Sequence, residues 1–518
     1  MSPNSTDFEA MEVIGGSEIE RANGALLVDI RAKGGLNLGQ DDIKLAKDGH
    51  TVLIPQPSDD PDDPLNWSEM KKNLLFCTIG LASFMTDFQA AAGAPLLGPQ
   101  AEEWKMTPNR VNYSGNLNLL LLGIGGLVWL PIMSSWGRAP VLFWVNLVGT
   151  AMTLGCCLVN DFSGYYGTRA VMGFFFSGSL TVGLAFVQDM YFFHQQARKV
   201  GLWTMLLLVA PYCSPLFGYF ILADTGKWRT IFWVVFALGC LILLLCMFFL
   251  DETWYRRDIE PTSQPKRENR LLRVLGVWQL QPRPRYFMEP KQSLIRLFAT
   301  LAKPVVIPVM IYYAMNLMWV IGVNQTTAIL FETPREAGGY GMSTKSAGFC
   351  AFTPVISVLL GEVIGHWTNE WVAKRYIETH DGIFKPEARL PPIYPAHLLM
   401  VAGLVTIGQA LGRHLSLAAV VLGWGMFVFG QMVMTVSLTA YILDAYPTAP
   451  GEIASLMNAS RILSGFSVGY FQLGWGQSVG WATSFGTQAG ISAASLTIIV
   501  VLNVWGEKLR AKGGPLKN

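Results

Sequence analysis

The sequence predicts an all-α membrane protein in which twelve transmembrane helices form two pseudo-symmetric six-helix bundles. Apolar residues make up 51% of the 518-residue chain and charged residues only 14%, whereas soluble domains are about 25% charged. Apolar stretches of about 20 residues, the length that crosses a hydrocarbon core, recur along most of the chain. A long polar segment separates these stretches into two groups of six.

Each apolar stretch is predicted to be a helix, because lipid offers no hydrogen-bonding partner to unpaired backbone groups. The first six predicted spans are residues 73–95, 112–133, 139–159, 163–190, 201–222 and 229–250. The other six predicted spans are residues 304–331, 345–366, 394–411, 415–444, 452–476 and 480–505.

These spans divide the chain into five segments. A polar N-terminal tail (1–66) ends in PQPSDDPDDPLNWS, whose four prolines favour an extended, exposed strap. The two six-helix bundles (67–250 and 304–505) are joined by a polar central loop (251–303), and a short tail (506–518) follows the last span.

The distribution of lysine and arginine predicts the orientation. If the N-terminus is cytosolic, the short cytosolic segments carry 11 of these residues and the outer loops carry 7. Because short cytosolic loops carry an excess of Lys and Arg, both tails and the central loop are predicted to be cytosolic.

The two halves share a short motif. The fourth span ends with Asp189 and Tyr191 in a D-x-Y pattern, and the tenth span ends with Asp444 and Tyr446 in the same pattern. The match at equivalent places supports an internal duplication of the kind that transporters use.

Charged side chains inside a membrane are energetically expensive and point to function. Besides Asp189, Asp444 and His366 at cytosolic helix ends, four lie deeper: Asp87, Arg169, Glu362 and Arg461. The three end residues are interpreted as solvated or locking charges.

Glu362 and Asp87 are candidates for proton coupling or for binding a cationic solute. Burial disfavours the charged form of a carboxyl, so such a group could exchange a proton near neutral pH; the alternative is a protonated carboxyl bonded to a neighbouring helix. Arg169, a third candidate, cannot release its proton and needs a carboxylate, backbone or substrate partner. The same holds for Arg461.

Polar side chains within spans are candidates for a central solute cavity. They are Gln89, Asn116, Asn118, Asn316, Asn324, Gln325, Gln431 and Tyr441, with Trp319 and Tyr312 as aromatic candidates.

In the fifth span, Pro211, Pro215 and Gly218 predict a bendable hinge segment. Asn112, in an N-x-S pattern near the outer end of the second span, is a weak glycosylation candidate.

Several function classes have no support in the sequence. There is no G-x-S-x-G, H-E-x-x-H or Walker motif, so the chain is predicted not to be an enzyme or an ATP-driven pump and to need no cofactor. The seven cysteines show no C-x-x-C spacing for a metal, and no basic patch interleaved with aromatic residues indicates nucleic-acid binding.

Several stretches resemble the fungal major facilitator superfamily, in the branch of drug:proton antiporters and polyamine-type carriers. They are VLIPQPSDDPDDPLNWSEMKK, RAVMG with the later Gln188-Asp189 pair, KWRTIFWVVF, FLDETWYRR, the Gly361-Glu362 pair and YILDAYPTAPGEIASLMNASR. The resemblance implies the major facilitator fold, a proton gradient as energy source and a small organic solute.

The sequence departs from that family in two places. The family pattern G-x-x-x-D-R-x-G-R between the second and third helices is here LPIMSSWGRAP, where Ser134 and Ser135 replace the charged pair. In the second half, Asn369 stands where an Asp is common. The cytosolic latch is therefore expected either to be weaker or to rest on Arg138 with Asp189 alone, and Asp444 and Arg461 are further latch candidates. The glycine-rich motif of the family's fifth helix is degraded to APYCSPLFGYF, which leaves the direction of transport open.

The predicted function is secondary active transport by rocking of the two halves around a central site. The leading hypothesis is proton-coupled export of a toxic or secondary metabolite. One alternative is proton-driven uptake of an organic cation such as a polyamine, with Glu362 as its partner, and another is a transporter-like solute receptor. The expected partners are a small solute, protons and the lipid bilayer. The expected form is a monomer in the plasma membrane, with the vacuolar membrane as the alternative.

The topology predicts where a membrane-impermeant thiol reagent reacts. A cysteine placed at Thr262 in the central loop should be labelled only after cells are permeabilised, because the loop is predicted to face the cytosol. Lys105→Cys, in the first predicted outer loop, is the control that should react in intact cells. Labelling of Thr262→Cys in intact cells would overturn the orientation.

Overall fold

The computed structural model describes residues 26–27, 44, 53, 55–267, 269–280, 286–380 and 383–514. Most of the predicted N-terminal tail lies outside the described residues. Within the described ranges, twelve helices have 20 or more residues, and each overlaps one predicted span. The fold is the predicted all-α, multi-pass membrane architecture.

The first half contains α1 (Glu69–Ala91), α2 (Pro108–Trp136), α3 (Arg138–Leu158), α4 (Phe162–Met190), α5 (Phe193–Thr225) and α6 (Arg229–Phe249). The second half contains α7 (Val306–Glu332), α8 (Phe352–Thr379), α9 (Ile393–Gly412), α10 (Leu417–Ala445), α11 (Pro450–Val479) and α12 (Trp481–Gly513). Shorter helices are Leu97–Trp104, Arg270–Leu275, Pro290–Leu301 and Thr344–Cys350.

Eleven of the long helices are apolar enough to cross a membrane. The exception in the described chain is α11, which has 30 residues but contains many Gly, Ser, Asn and Gln residues. It packs against α2 and α4 of the first half and α7 of the second. Its low hydropathy follows from this position, because a helix that contacts other helices on several sides needs less apolar surface towards lipid.

Capping residues in the sequence explain where several helices begin. The side chains of Ser68, Thr107 and Asp161 accept a hydrogen bond from a backbone N–H in the first turn of α1, α2 and α4, respectively. Such caps satisfy amide groups that have no partner inside the helix. In α2 the cap is followed by Pro108, whose missing N–H costs nothing at that position.

Two helices extend more than five residues beyond their predicted C-terminal ends. Helix α8 continues to Thr379 rather than residue 366, and α12 continues to Gly513 rather than residue 505. Polar and charged residues end the apolar runs there, but helical hydrogen bonding does not require an apolar environment. The expectation that His366 lies at a helix end is therefore wrong, because His366 is about midway along α8.

The two halves meet along a few close helix pairs. Helix α2 contacts α11, α4 contacts α11, and α5 contacts α8. Glycines permit these approaches: a Cβ on Gly123 would lie 2.8 Å from a methyl carbon of Leu463, and one on Gly469 would lie 2.3 Å from Asn116 Oδ1. Small residues at such crossings allow helix backbones to pack closely.

The end of the N-terminal strap is buried, in contrast to the predicted exposed strap. Asp63 has no exposed surface and pairs with Arg257 of the central loop, whose Nη2 lies 2.8 Å from Asp63 Oδ1. Burial alone would raise the pKa of Asp63, but its hydrogen bond and charge interaction with Arg257 lower it below the ordinary value.

Two-residue strands β1 (Leu26–Leu27) and β2 (Ile383–Phe384) pair antiparallel.

Candidate functional site

A central cavity of about 130 Å³ lies between the two halves. Helices α1, α2, α4 and α5 line it from the first half, and α7, α10 and α11 from the second. Part of its wall is apolar and is formed by Leu119, Leu208, Val320 and Ile321. The remaining wall contains charged and amide side chains.

A buried ion pair joins the two halves inside this cavity. Arg461 Nη1 on α11 lies 2.9 Å from Asp87 Oδ2 on α1, and both side chains are largely buried. The prediction that Arg461 belongs to the cytosolic latch is wrong. Arg461 lies eleven residues into α11, about 16 Å along its axis, and this depth places it in the cavity.

Arg169 is held by backbone carbonyls, one of the three partner types that the sequence leaves open. Its Nη1 donates a hydrogen bond to the carbonyl oxygen of Gln89 (2.6 Å), and its Nη2 donates to that of Ala90 (2.8 Å). The carbonyls at the C-terminal end of a helix carry partial negative charge, so the last turn of α1 stabilises this cation. Arg169 also lies with Cζ 5.7 Å from the centroid of the Phe232 ring.

Four of the predicted cavity amides line the cavity, namely Asn116, Asn324, Gln325 and Gln431. Asn112 and Gln100 join them, although the sequence did not identify either as a cavity residue. Asn112 Nδ2 donates to the carbonyl oxygen of Gly469 and its Oδ1 accepts from Gln325 Nε2, each at 3.4 Å. The glycosylation prediction is therefore wrong, because Asn112 is only 7% exposed and faces the other half.

The other cavity candidates lie elsewhere, and their prediction as cavity residues is wrong. Asn118 Nδ2 donates to Gln89 Oε1 at 3.1 Å, within the first half. Asn316 Nδ2 donates to Ser495 Oγ at 2.9 Å, within the second. Tyr441 is fully buried beside Gly506 of α12. Asn118 and Asn316 thus connect helices of one bundle through their amide nitrogens, whereas the buried Tyr441 hydroxyl has no hydrogen-bond partner among the described residues.

The two aromatic candidates are also absent from the cavity lining. Tyr312 forms a 2.9 Å hydrogen bond with His397 Nδ1, and Trp319 is buried in an apolar cluster of the second half. The aromatic rings that do line the cavity are Tyr165 and Tyr212.

Glu362 lies outside the central cavity, at the contact between α8 and α5. A Cβ on Gly201 would lie 2.6 Å from Glu362 Oε1, so the carboxyl of Glu362 packs directly against the backbone of Gly201 on α5. Glu362 is 6% exposed and makes no ion pair with any described residue. One turn further along α8, His366 Nε2 lies 3.1 Å from Glu370 Oε1.

The predicted pair of Arg138 and Asp189 is present on the side predicted to be cytosolic. The two side chains form a salt bridge, and Arg138 Nη1 also donates to the carbonyl oxygen of Ala185 at 2.9 Å. Thr253 of the central loop donates its hydroxyl to Asp189 Oδ2 at 2.7 Å. The role of this contact as a latch stays a prediction.

Glu252 is a residue of this cluster that the sequence analysis missed. Its carboxylate accepts hydrogen bonds from the backbone N–H groups of Arg138 (3.2 Å) and Ala139 (3.1 Å), and so caps α3. The cap follows Gly137, whose φ of 93° favours glycine. The central loop thus supplies an acid next to Ser134 and Ser135, where the family pattern has its charged pair. The sequence signal that could have identified Glu252 is the acidic pair Asp251-Glu252 directly after the sixth predicted span.

The second half has its own pair, Arg389 with Asp444. Arg389 Nη1 also donates to Asn369 Oδ1 at 3.4 Å. The partner of Asp444 is thus a residue that the sequence analysis did not identify, and the role of Asp444 in a latch stays a prediction. The sequence held a signal for the correct partner, because Arg138-Ala-Pro140 and Arg389-Leu-Pro391 share an R-x-P pattern at the start of the third and ninth helices.

The predicted hinge residues lie in α5, which runs as a continuous helix through both Pro211 and Pro215. The two prolines line the central cavity. Gly218 permits the approach of Pro95, because a Cβ there would lie 2.7 Å from Pro95 Cγ. Bending at this segment stays a prediction.

Comparison with known proteins identifies similar chains across most of the length. The model of the Major Facilitator Superfamily matches residues 79–469. The chain is 23% identical to efflux pump radE of Floropilus chiversii, covering 88% of this chain and 84% of that protein. It is 22% identical to the cycloheximide resistance protein of Candida maltosa, covering 89% and 85%. The solved proton:xylose symporter XylE has a TM-score of 0.60 at 13% identity, covering 84% of this chain and 96% of that one.

The Arg138–Asp189 contact predicts energetic coupling between the two residues. The single variants Arg138→Gln and Asp189→Asn should each lower the free energy of unfolding. The double variant should lower it by less than the sum of the two single effects, and this difference, the coupling energy, should be about 1 kcal/mol or more. The measurement is a double-mutant cycle on the purified chain. Asp224→Asn, an exposed position at the end of α5, is the control and should be additive with Arg138→Gln. Additivity of the Arg138 and Asp189 changes would refute the coupling.

Proposed function

The chain belongs to the Major Facilitator Superfamily, and we propose that it exports a small organic solute across the plasma membrane by proton-coupled alternating access. The observation that carries this proposal is the Asp87–Arg461 ion pair, which connects the two halves inside the cavity that they share. One chain supplies both halves, so a monomer is sufficient for this function. Two fungal relatives named for efflux and for drug resistance support export.

Alternating access requires contacts that break when the halves separate. On the predicted cytosolic side, the helix Pro290–Leu301 of the central loop bridges the halves: Ser293 donates to Ser134 Oγ at 3.3 Å, and Arg296 Nε lies 2.9 Å from Glu452 Oε1 at the start of α11. The Arg138–Asp189 pair lies beside this bridge. The contacts of Pro290–Leu301 with Ser134 and Glu452 would hold that side closed while the cavity exchanges solute on the other side, whereas the Arg138–Asp189 pair lies within the first half.

Proton coupling is proposed at Asp87, the only carboxylate among the described residues that line the cavity. Protonation neutralises this group and removes its attraction for Arg461. Breaking a buried ion pair leaves an uncompensated charge, which costs about 3–5 kcal/mol. Because the partners belong to different halves, the protonation state of Asp87 would shift the balance between joined and separated halves. A solute that donates hydrogen bonds to the Asp87 carboxylate would compete with the proton, as exchange of protons for solute requires.

Arg169 is proposed as a positioning residue rather than a solute contact. Its guanidinium holds the carbonyls of Gln89 and Ala90, which follow Asp87 in the last turn of α1. This contact fixes the end of α1 against α4 and so orients Asp87 towards Arg461.

Glu362 remains a second candidate for proton transfer. Its carboxyl has no ion-pair partner in the described chain and lies where α5 and α8 of opposite halves meet. Its position outside the cavity does not favour contact with a cationic solute. The cavity itself offers one described carboxylate, and that group is paired with Arg461. No observation therefore favours polyamine uptake over export.

Asp87→Asn should remove proton-driven export. Cells deficient in their own exporters should accumulate less of a transported toxin when they express the wild-type chain, and a protonophore should abolish this difference. With Asp87→Asn, export should fall to less than about a tenth of the wild-type rate, because the neutral amide no longer releases a proton to start each cycle. The measurement is toxin accumulation, normalised to the amount of protein at the cell surface.

Asp224→Asn is the matched control and should export normally. Since Asp87→Asn leaves Arg461 unpaired, the double variant Asp87→Asn/Arg461→Gln shows whether a loss reflects folding. It should regain thermal stability without regaining export. Protonophore-sensitive export by Asp87→Asn would exclude Asp87 as the coupling group, and wild-type cells that export none of a broad toxin panel would exclude the proposed function.

Glu362→Gln separates proton transfer from a purely structural role. If Glu362 carries a proton, the variant should reach the cell surface and exchange solute across the membrane, yet fail to use a pH gradient. The measurement is the pH dependence of export alongside counterflow of labelled solute. Glu378→Gln, exposed on the same helix, should behave as wild type. A wild-type rate with an unchanged pH profile would show that Glu362 is a packed interhelical carboxyl only.

A further inference from the structure

We infer that the central cavity selects an uncharged, oxygen-rich organic molecule and excludes organic cations. The inference rests on the proposed function in one respect, namely that the transported solute occupies this cavity. It concerns the chemical class of the solute, which membership of the family leaves open.

The charges around the cavity disfavour a cationic solute. The charged residues that line it are Asp87, Arg169 and Arg461, which gives two cations and one carboxylate. The carboxylate already lies 2.9 Å from Arg461. A cation would therefore enter a site with an excess of positive charge, where the low dielectric strengthens repulsion.

An anionic solute has no free cation to bind. Both terminal nitrogens of Arg169 donate to the carbonyl oxygens of Gln89 and Ala90. Arg461 is engaged by Asp87, so an anion would have to displace that carboxylate and leave it buried without a partner. The cost of an unpaired buried charge makes this exchange unfavourable. Each of the three charged side chains thus has a partner within the protein, and an uncharged solute disturbs these contacts least.

Several buried polar atoms in the cavity wall point to hydrogen bonding with such a solute. Asn116 Nδ2 and Oδ1, Gln431 Oε1, Gln100 Nε2 and the Tyr212 hydroxyl find no hydrogen-bond partner among the described residues. Each of these side chains is no more than 4% exposed. An unsatisfied buried polar atom costs about 1–3 kcal/mol, so these atoms need partners from water or solute.

These unsatisfied atoms include both donors and acceptors. The amide nitrogens and the phenol hydroxyl donate, whereas the amide oxygens accept. A solute that satisfies them carries acceptors such as ketone or lactone oxygens together with donors such as hydroxyl or amide groups. Leu119, Leu208 and Val320 on the same wall suit an apolar skeleton between those groups.

The polar atoms belong to both halves. Asn116 and Tyr212 lie on α2 and α5, whereas Gln431 lies on α10 and Asn324, whose Oδ1 is also unsatisfied, lies on α7. A solute bonded to all of them would stabilise the joined arrangement of the halves. Binding and conformational change are then linked through the same hydrogen bonds.

The inference is tested by binding to the purified full chain in detergent, measured as thermal stabilisation. The probes are a panel of uncharged polyoxygenated compounds that includes cycloheximide, compared with spermidine as a cation and benzoate as an anion. Members of the uncharged panel should stabilise the wild-type chain, and spermidine and benzoate should not. Gln431→Leu and Asn116→Leu should each weaken binding about fivefold to tenfold, the equivalent of one lost hydrogen bond.

Gln477→Leu, an exposed glutamine at the far end of α11, is the matched control and should bind as tightly as wild type. Stabilisation by spermidine or by benzoate, or by no member of the uncharged panel, would overturn the inference. Uncharged compounds that bind but are not exported by cells would support the inference and overturn the proposed function, so the two failures are distinct.

Discussion

One buried ion pair, between Asp87 of the first helix and Arg461 of the eleventh, constrains the centre of the molecule. Neither charge is stable alone in a membrane interior, so each half needs the other to satisfy its own buried group. Any movement that separates the halves must therefore bring water, a proton or a solute to both side chains. Arg169 adds to this constraint, because its bonds to the last turn of α1 fix the backbone just beyond Asp87.

The predicted cytosolic side shows how a lost motif is compensated. Ser134 and Ser135 stand where the family pattern has a charged pair, yet the start of α3 still has an acidic cap. Glu252 provides it from the central loop, more than a hundred residues along the chain. Exposed N–H groups at a helix start need an acceptor whichever segment supplies it. The central loop also contacts the second half, since its helix Pro290–Leu301 reaches Glu452 at the start of α11.

Amide side chains serve two different purposes within the same bundle. Asn118 and Asn316 have partners inside their own half, where hydrogen bonds hold neighbouring helices at fixed distances. Asn116 and Gln431 face the cavity with atoms that the protein leaves unsatisfied. Polar atoms without a protein partner therefore lie in the cavity wall between the halves, while the amide nitrogens of Asn118 and Asn316 have partners within one half.

The sequence alone determined the number and approximate position of the membrane helices, because hydrocarbon thickness and backbone hydrogen bonding leave no other arrangement for such apolar runs. It also restricted the buried charges to a short set that included Asp87 and Arg461. Only the tertiary structure decided which polar residues face the cavity. Successive residues on a helix point about 100° apart, so Asn116 and Asn118, two positions apart on α2, face in different directions. One lines the cavity and the other bonds to Gln89. The pairing of Asp87 with Arg461 was equally hidden, because contacts between helices distant in sequence depend on how the two halves pack.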